Sequence, residues 1–511
     1  MKETSKRVIC AVLALMLTFS LVACGGQQNA PAGTTAPVAN GGNDSTTASA
    51  DIPVVKIALA TISELTRLES VTNAINEILV EETGCKVEFV VLDFGTFANQ
   101  MNMILSSEEN TVDAFHTLYS FTLSSLVANG QVMALDDLLA NYGQGIVEAV
   151  GPEFIDCGKV NGKVYTLPIV AAYSDAIGYI MVKDVADEFG ATDENINNLE
   201  DLTQLLLKVK EKYPDYNLVP TSSAGWMLDC TIDNLCDTNN LGVLLNYGEE
   251  LTVENYYASE HYRELCKYGK IWQDAGLMTD DPLNSNNGTM AEVSSGQALG
   301  VFSDRPSAYA NIMDYQTMFE MPITAFSVSD ALATTQNVIH SNWCIPSNCK
   351  DPVSTMKVLN AFYTNPEIAT LALMGVEGET YVLNDAGQAE YAEGLNMMNA
   401  GWGMGMTFYW HNPAIAVPMA PQTTEYWQEV VKSNETCRKS KALGFTFDAT
   451  PVSDEMTACV NVVNQYNLPL LAGIVDYEEV LPQFLAALED AGIDKIIAEK
   501  QAQLDAWAAQ Q

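Results

Sequence analysis

The chain has 511 residues, enough for about three average domains or two large lobes with ample buried cores. Its 65 acidic side chains against 24 basic ones give a formal charge of −41. That excludes an extended groove for a nucleic-acid backbone, which rests on clustered Lys and Arg. Hydrophobic residues make up 48% and charged residues 17%, the balance of a folded protein and not of an acidic disordered one.

Lys2, Lys6 and Arg7 precede an apolar run from Val8 to Ala23, interrupted only by Thr18 and Ser20. The run is shorter than the roughly 20 residues of a membrane-spanning helix, so residues 1–23 read as a signal peptide. Its end, Leu21, Val22, Ala23 and Cys24 followed by Gly25 and Gly26, resembles a bacterial lipobox. The resemblance implies cleavage before Cys24 and acyl chains, palmitate among them, carried by its thiol. Residues 25–50 contain only small and polar residues, Pro, Val and one Asp, too little apolar surface to offset chain entropy. Residues 24–50 therefore read as a lipidated cysteine and a flexible tether, spanning roughly 30 Å. Loss of Lys2, Glu3, Lys6 and Arg7 with the signal leaves a mature charge of −43, so the lipid is the only expected contact with a membrane.

From Pro53 the chain alternates strand-like and helical segments. Val54 to Ala60 is a short apolar run, and Leu68, Val71, Ile75, Ile78 and Leu79 then recur at helical spacing until Gly84. Val87, Phe89 and Val91 alternate as a strand, Phe97 to Ser106 predicts a second helix, and Val112 to Phe115 a further strand. This β-α-β-α-β order argues for α/β architecture, in which the loops after the strands converge on one ligand-binding edge. Further along, Leu199, Leu202, Leu205, Leu206 and Val209 predict a helix stopped by Pro214, and Tyr256 to Trp272 predicts another. Met356, Leu359, Phe362 and Tyr363 mark a helix ending near Asn365 and Pro366, and Leu481 to Trp507 predicts two helices divided by Gly492.

Outside the signal and the anchor, nine cysteines remain, an odd number with no CxxC pair and no zinc spacing. They read as mostly buried free thiols, with Cys344 and Cys349 the favoured pair if one disulfide forms. The four histidines lie at no metal-ligating helical spacing, and no HExxH, phosphate loop or GxSxG elbow occurs. The nearest calcium-loop pattern, Asp281 to Glu292, places Leu283 at a ligand position and Asn286 where glycine is required, and is rejected. No metal or cofactor is therefore expected. A tethered glycoside hydrolase stays open, because its chemistry needs only two well-placed carboxylates.

Aromatic residues stand out. Trp226, Trp343, Trp402 and Trp410 lie in loop-like stretches flanked by Gly, Ser, Asn or His. Sugars present apolar C–H faces and hydroxyl rims, which flat rings and Asp, Asn or Arg side chains match.

The run Asn161, Gly162, Lys163, Val164, Tyr165, Thr166, Leu167, Pro168, then Val182, Lys183, Asp184, and the stretch from Asn342 through Tyr381 resemble family 1 extracellular solute-binding lipoproteins of carbohydrate-uptake ABC transporters. Gly444 to Asp448 and Ala491 to Lys495 resemble the C-terminal domain of unknown function of one subgroup. Where that subgroup carries Trp followed by a Gly-Asn pair, this chain has Trp402, Gly403, Met404, Gly405 and Met406.

The resemblance implies a two-lobed α/β fold of the type II periplasmic-binding-protein kind, with a ligand cleft between lobes joined by crossing segments. Lobe 1 is expected over 51–170 and about 330–378, lobe 2 over 171–329 and about 379–511 with a C-terminal helical extension at 440–511. The implied protein is a monomer on the extracytoplasmic face of a bacterial membrane, not an enzyme, capturing an oligosaccharide for an ABC permease. A peptide or another small solute is the alternative cargo, because a fold fixes a cleft but not its chemistry. Topology places Tyr119 and Tyr173 toward the cleft. Trp226, Trp343, Trp402 and Trp410 are the stacking candidates, and Asp304, Arg305 and Asn342 the polar ones.

Overall fold

The computed structural model describes residues 52–61, 63–109, 111–118, 121–222, 229–285, 289–303, 319, 321–396, 399–402 and 409–510. Cys24, Tyr119, Trp226, Asp304 and Arg305 lie outside them. Eleven strands position the site: β1 (Val54–Thr61), β2 (Lys86–Asp93), β3 (Phe115–His116), β4 (Leu167–Pro168), β5 (Ser174–Asp175), β6 (Gly178–Val182), β7 (Gly300–Ser303), β8 (Ile323–Ser327), β9 (Leu332–Ala333), β10 (Asn342–Cys344) and β11 (Arg438–Lys439).

In lobe 1, β1 and β2 pair in parallel over their full lengths, from Val54 opposite Lys86 to Thr61 opposite Asp93. The helix between them, α1 (Leu68–Thr83), buries Val71, Ile75 and Leu79 at the predicted spacing, each worth about 1.5–3 kcal/mol of burial. Gly84 ends it at φ 72°, the left-handed conformation that glycine adopts without strain. A parallel bridge from Ile57 to Ala114 carries the sheet on to β3, and β10 lies antiparallel between β3 and β4. Strand β3 is shorter than the expected Val112 to Phe115 run, because Asp113 and Ala114 bond singly to Lys56 before regular pairing begins.

Lobe 2 is built on the antiparallel sheet β8-β6-β7. Helices Leu199–Lys212 and Glu260–Asp274 cover it, the latter reduced to a 3-10 turn over Tyr256–Ala258 where Ser259 caps its start. The C-terminal helices Ser453–Leu471, Tyr477–Ala491 and Ile493–Ala508 complete this lobe, the last two divided by Gly492.

The chain crosses between the lobes three times, and the crossings are hydrogen-bonded to one another. Strand β9 pairs antiparallel with β5 and parallel with β11, a three-stranded hinge of two residues per strand. This corrects the expected return at 378. The first core takes in Tyr381, Ala389, Trp402, Trp410 and Ala416, and the helix Thr424–Thr436 packs Tyr426, Trp427 and Val430 against Ala172 and Ala414. The third crossing is therefore β11, some 60 residues later than expected, because Trp402, Tyr409 and Trp410 belong to the lobe 1 core.

All nine described cysteines are free. Cys344 points its Sγ to Thr166 Oγ1 at 3.4 Å and Cys349 to Asp113 Oδ1 at 3.4 Å, so the favoured disulfide does not form. Burial pushes the Cys344 thiol up to about 12, which keeps it protonated and inert.

Candidate functional site

Because β1, β2 and β3 are parallel, the loops that follow them gather at one edge of the lobe 1 sheet. Strand β4 ends at the same edge and leads into the first crossing, while β10 begins there after the second. Across the hinge, β7 and β8 end at Ser303 and Ser327, opposite Gly178 at the start of β6. Ends of both sheets thus meet at the crossing strands, the geometry in which a solute touches both lobes at once.

The lobe 1 edge is held by a tight set of polar contacts. The His116 Nδ1 accepts from the Leu118 N–H at 3.1 Å, which leaves Nε2 as the protonated nitrogen, 3.1 Å from Ser341 Oγ. Burial, helped by the nearby His340, lowers the His116 pKa to about 3, so it is neutral at physiological pH. The Thr117 N–H donates to the Asn342 carbonyl at 2.8 Å, and the Asn342 N–H donates back to Thr117 Oγ1 at 3.1 Å. Asn342 donates its amide N–H to the Ile339 carbonyl, while its Oδ1 is buried with no hydrogen-bond partner. An unpaired acceptor at this edge costs free energy that a donor from a solute would recover.

Beneath the edge lies a slab of aromatic rings. Trp343 stacks on His411 at 4.2 Å between ring centres and 13° between planes, and meets His116 and Tyr409 edge-on at 5.2 and 5.3 Å. Trp410 lies nearly parallel between Phe362, at 6.2 Å, and Trp402, at 6.0 Å. The Trp343 Nε1 donates to the Tyr409 carbonyl at 3.1 Å and the Trp402 Nε1 to the Ala372 carbonyl at 2.9 Å. Tyr409 in turn donates its hydroxyl to the Ala58 carbonyl of β1 at 2.7 Å.

Trp343, Trp402 and Trp410 are 0%, 1% and 2% exposed, so in this structure they are packing residues and not the solvent-facing platforms suggested by their loop-like sequence context. The reason is the late third crossing, which keeps Trp402, Tyr409 and Trp410 in the lobe 1 core, with Tyr409 bonded to both β1 and β10. Tyr173 is also buried, its ring 4.5 Å from Phe154 and its hydroxyl donating to the Ile169 carbonyl at 2.7 Å. Of the sequence-derived candidates, the structure thus gathers Trp343, Trp402 and Trp410 in one slab with Asn342 directly above it, and sets Tyr173 apart at the first crossing. His116, Thr117, Ser341 and Tyr409 escaped the sequence reading. The position of His116 and Thr117 immediately after the expected Val112 to Phe115 strand was the available signal for the first two.

Lobe 2 carries a different cluster. Asp229 accepts from Thr231 Oγ1 at 2.8 Å and from the Tyr256 hydroxyl at 2.9 Å, and pairs with His261 Nε2 at 2.6 Å. Beside the hinge, Arg438 of β11 pairs with Glu249 and Asp330, each at 3.3 Å, and lies 4.5 Å over the Tyr247 ring. Among the described residues no group of three or more His, Cys, Asp or Glu is placed to hold a metal ion, and no helix is long and apolar enough to cross a membrane.

Two α/β lobes, three crossing strands and facing sheet ends define the type II class of solute-binding folds. Residues 74–397 match the bacterial extracellular solute-binding proteins, and the chain belongs to that family. Residues 441–509 match a domain of unknown function, DUF3502. A carbohydrate ABC transporter substrate-binding protein of Streptococcus pneumoniae serotype 4 is 24% identical over 99% of each chain. The crystal structure of the N-glycan transport solute-binding protein of Streptococcus pneumoniae superposes with a TM-score of 0.77 at 22% identity, over 89% of this chain and 98% of that one. The same protein in complex with Man5GlcNAc gives 0.66 at 21% identity, over 90% and 99%.

Proposed function

We propose that the protein captures an oligosaccharide between its lobes and delivers it to the permease of an ABC importer, with no chemistry on the solute. The observation that carries this reading is the similarity over 99% of both chains to a relative named for carbohydrate transport. Crystal structures of similar fold in complex with Man1GlcNAc and Man5GlcNAc support it.

Tyr119 follows β3 in the chain, and Asp304 and Arg305 directly follow β7, which supports all three as solute contacts from opposite lobes. Trp226, just before the Asp229 cluster in the chain, supplies the stacking ring. Asn342 offers its unpaired Oδ1 to a sugar hydroxyl. The buried slab of Trp343, Trp402 and Trp410 backs this edge and keeps it rigid. Cys24 carries the lipid that holds the protein at the extracytoplasmic face of the membrane.

Ligand that bridges two lobes binds only the folded form, and at a hundredfold excess over its dissociation constant adds about 2.7 kcal/mol of stability. A thermal-shift screen of the mature chain is expected to give hits among oligosaccharides and none among peptides. Hits confined to peptides would overturn the reading. For the anchor, Cys24→Ser is expected to move the protein out of the membrane fraction after detergent-free lysis, and its full retention there would reject lipidation at Cys24.

A further inference from the structure

The C-terminal module that matches a domain of unknown function forms one wall of a groove of about 710 Å³. The opposite wall belongs to lobe 1. It consists of one face of the helix Leu123–Ala128, Glu153, Asp156 and the turn of the hairpin formed by 159–160 and 163–164. The module contributes 443–446 and Asp448, then Gln503, Ala506 and Trp507 at helical spacing along one face of its last helix, and Gln510 just past that helix.

Local structure brings these walls together. The Gly444 N–H donates to Thr335 Oγ1 at 2.7 Å, just past the hinge. At φ 99° this residue favours glycine, and a Cβ there would stand 3.6 Å from the Trp507 ring and 3.7 Å from the Asp156 carbonyl. Gln503 is fixed by two bonds to the Asp448 backbone, both 2.9 Å, which lock the last helix onto the 443–448 stretch. Trp507 meets Phe445 edge-on at 5.9 Å and remains half-buried. Every other described tryptophan is buried, so among the described residues Trp507 is the one tryptophan that is partly exposed, and it lines the groove.

The chemistry of the walls selects the occupant. Lys159 pairs with Asp156 at 2.6 Å, and Glu153, also in the wall, pairs with Lys439 at 2.7 Å. Those ammonium groups are thus already engaged, and Asp448 adds a further negative charge, which disfavours a carboxylate- or phosphate-bearing ligand. What remains is an aromatic face rimmed by amides, hydroxyls and carboxylate oxygens, the set that matches a neutral polyhydroxylated ring.

We propose that this groove is a second carbohydrate-contact surface, in which Trp507 of the C-terminal module stacks against a sugar ring of a neutral oligosaccharide longer than the cleft edge alone can hold. The inference rests on the oligosaccharide reading above and assigns the module a role in it. Length discrimination then lies in the module, while the cleft edge recognises the short end of the chain.

The test is calorimetric titration of the mature chain with neutral di- and hexasaccharides of mannose, glucose, galactose and fructose. For a sugar that binds the wild type, Trp507→Ala is expected to weaken the hexasaccharide about tenfold, the worth of one aromatic stacking contact, and to leave the disaccharide unchanged. Trp507→Phe should restore most of the loss. Because Trp507 also packs on Phe445, a second variant uses its exposed neighbour in the groove: Ala506→Arg fills the space without entering the core and should show the same length-dependent loss. Equal affinities for the hexasaccharide in wild type and both variants, or equal losses for both sugar lengths, overturn the groove assignment alone. A wild type that binds no member of the panel and no oligosaccharide in the thermal-shift screen overturns the carbohydrate reading, and the groove assignment with it.

Discussion

The two lobes bury their polar atoms in opposite ways. Behind the lobe 1 edge the buried titratable rings are uncharged. Burial holds His411 well below the ordinary imidazole range, with a smaller push from His116, and the slab around it is Trp, Tyr and Phe. Lobe 2 instead buries charge. Lys500, on the last helix, is fully buried, with its Nζ 2.8 Å from Asp237 Oδ2, 2.9 Å from the Gly242 carbonyl and 5.0 Å from the Phe447 ring centre. Stacked rings tolerate small shifts and respond little to pH, which suits a surface that must stay in register while the cleft works. A buried ion pair tolerates neither neutralisation nor loss of a partner, which suits a pin fixing the C-terminal module to the 233–242 loop.

Removing one member of the slab gives the largest expected effect. Trp343→Ala deletes a ring in contact with His116, Tyr409 and His411 together with the bond to the Tyr409 carbonyl, and should cost about 3–5 kcal/mol. A denaturant melt measures it. A Trp343→Ala protein that melts like the wild type but loses oligosaccharide affinity would break the comparison, by returning Trp343 from the core to the binding surface.

The pin of lobe 2 gives a somewhat smaller one. Lys500→Met keeps most of the volume but leaves the Asp237 carboxylate buried with neutral donors alone, the Asn239 and Leu241 backbone N–H groups, each at 3.0 Å, and the Asn239 side-chain amide at 3.4 Å. Unpairing a buried charge should cost about 3 kcal/mol. Adding Asp237→Asn to Lys500→Met removes the stranded charge and should recover most of that loss in the same melt. No recovery in the double variant would mean that the methionine itself fits poorly, and that the ion pair is not what fastens the module.

The contrast also explains which features could be read from the sequence. The elements at 68–83, 86–93, 97–105 and 199–212 are amphipathic or alternating and 54–61 is a short apolar run, so local pattern announces them. The family resemblance gave the two-lobed class. What it did not give is the third crossing, since nothing near 378 or 438 differs in composition, and pairing of β11 with β9 is a contact across more than 100 residues. The tryptophans misled for a related reason. Flanking Gly, Ser and Asn look like loop, yet Trp343 sits in a three-residue strand and Trp402 lies where the returning chain covers it. The pairing of Lys500 with Asp237 spans 263 residues and leaves no local trace at all.

The smallest effect, and the one that sharpens the comparison most, is pH dependence. Burial disfavours charge on both His261 and Asp229, but their mutual hydrogen bond and charge outweigh it, raising the histidine above its ordinary 6.5 and lowering the carboxylate below 3.8. A raised histidine contributes stability that is complete below the unfolded value of 6.5 and is lost as pH rises through the higher folded value. A lowered carboxylate contributes stability that is complete above 3.8 and is lost as pH falls through its lower folded value. The pair therefore works best between those two limits. His261→Ala should lower stability by about 1–2 kcal/mol near pH 5.5, as for other charge-assisted hydrogen bonds, and by progressively less as pH rises toward 9. Melting temperatures of both proteins at the two pH values measure the difference. Trp343→Phe, which alters the uncharged slab, should show the same loss at both. An equal loss for His261→Ala at pH 5.5 and pH 9 would remove charge from the account of lobe 2 and leave packing as the common principle of both lobes.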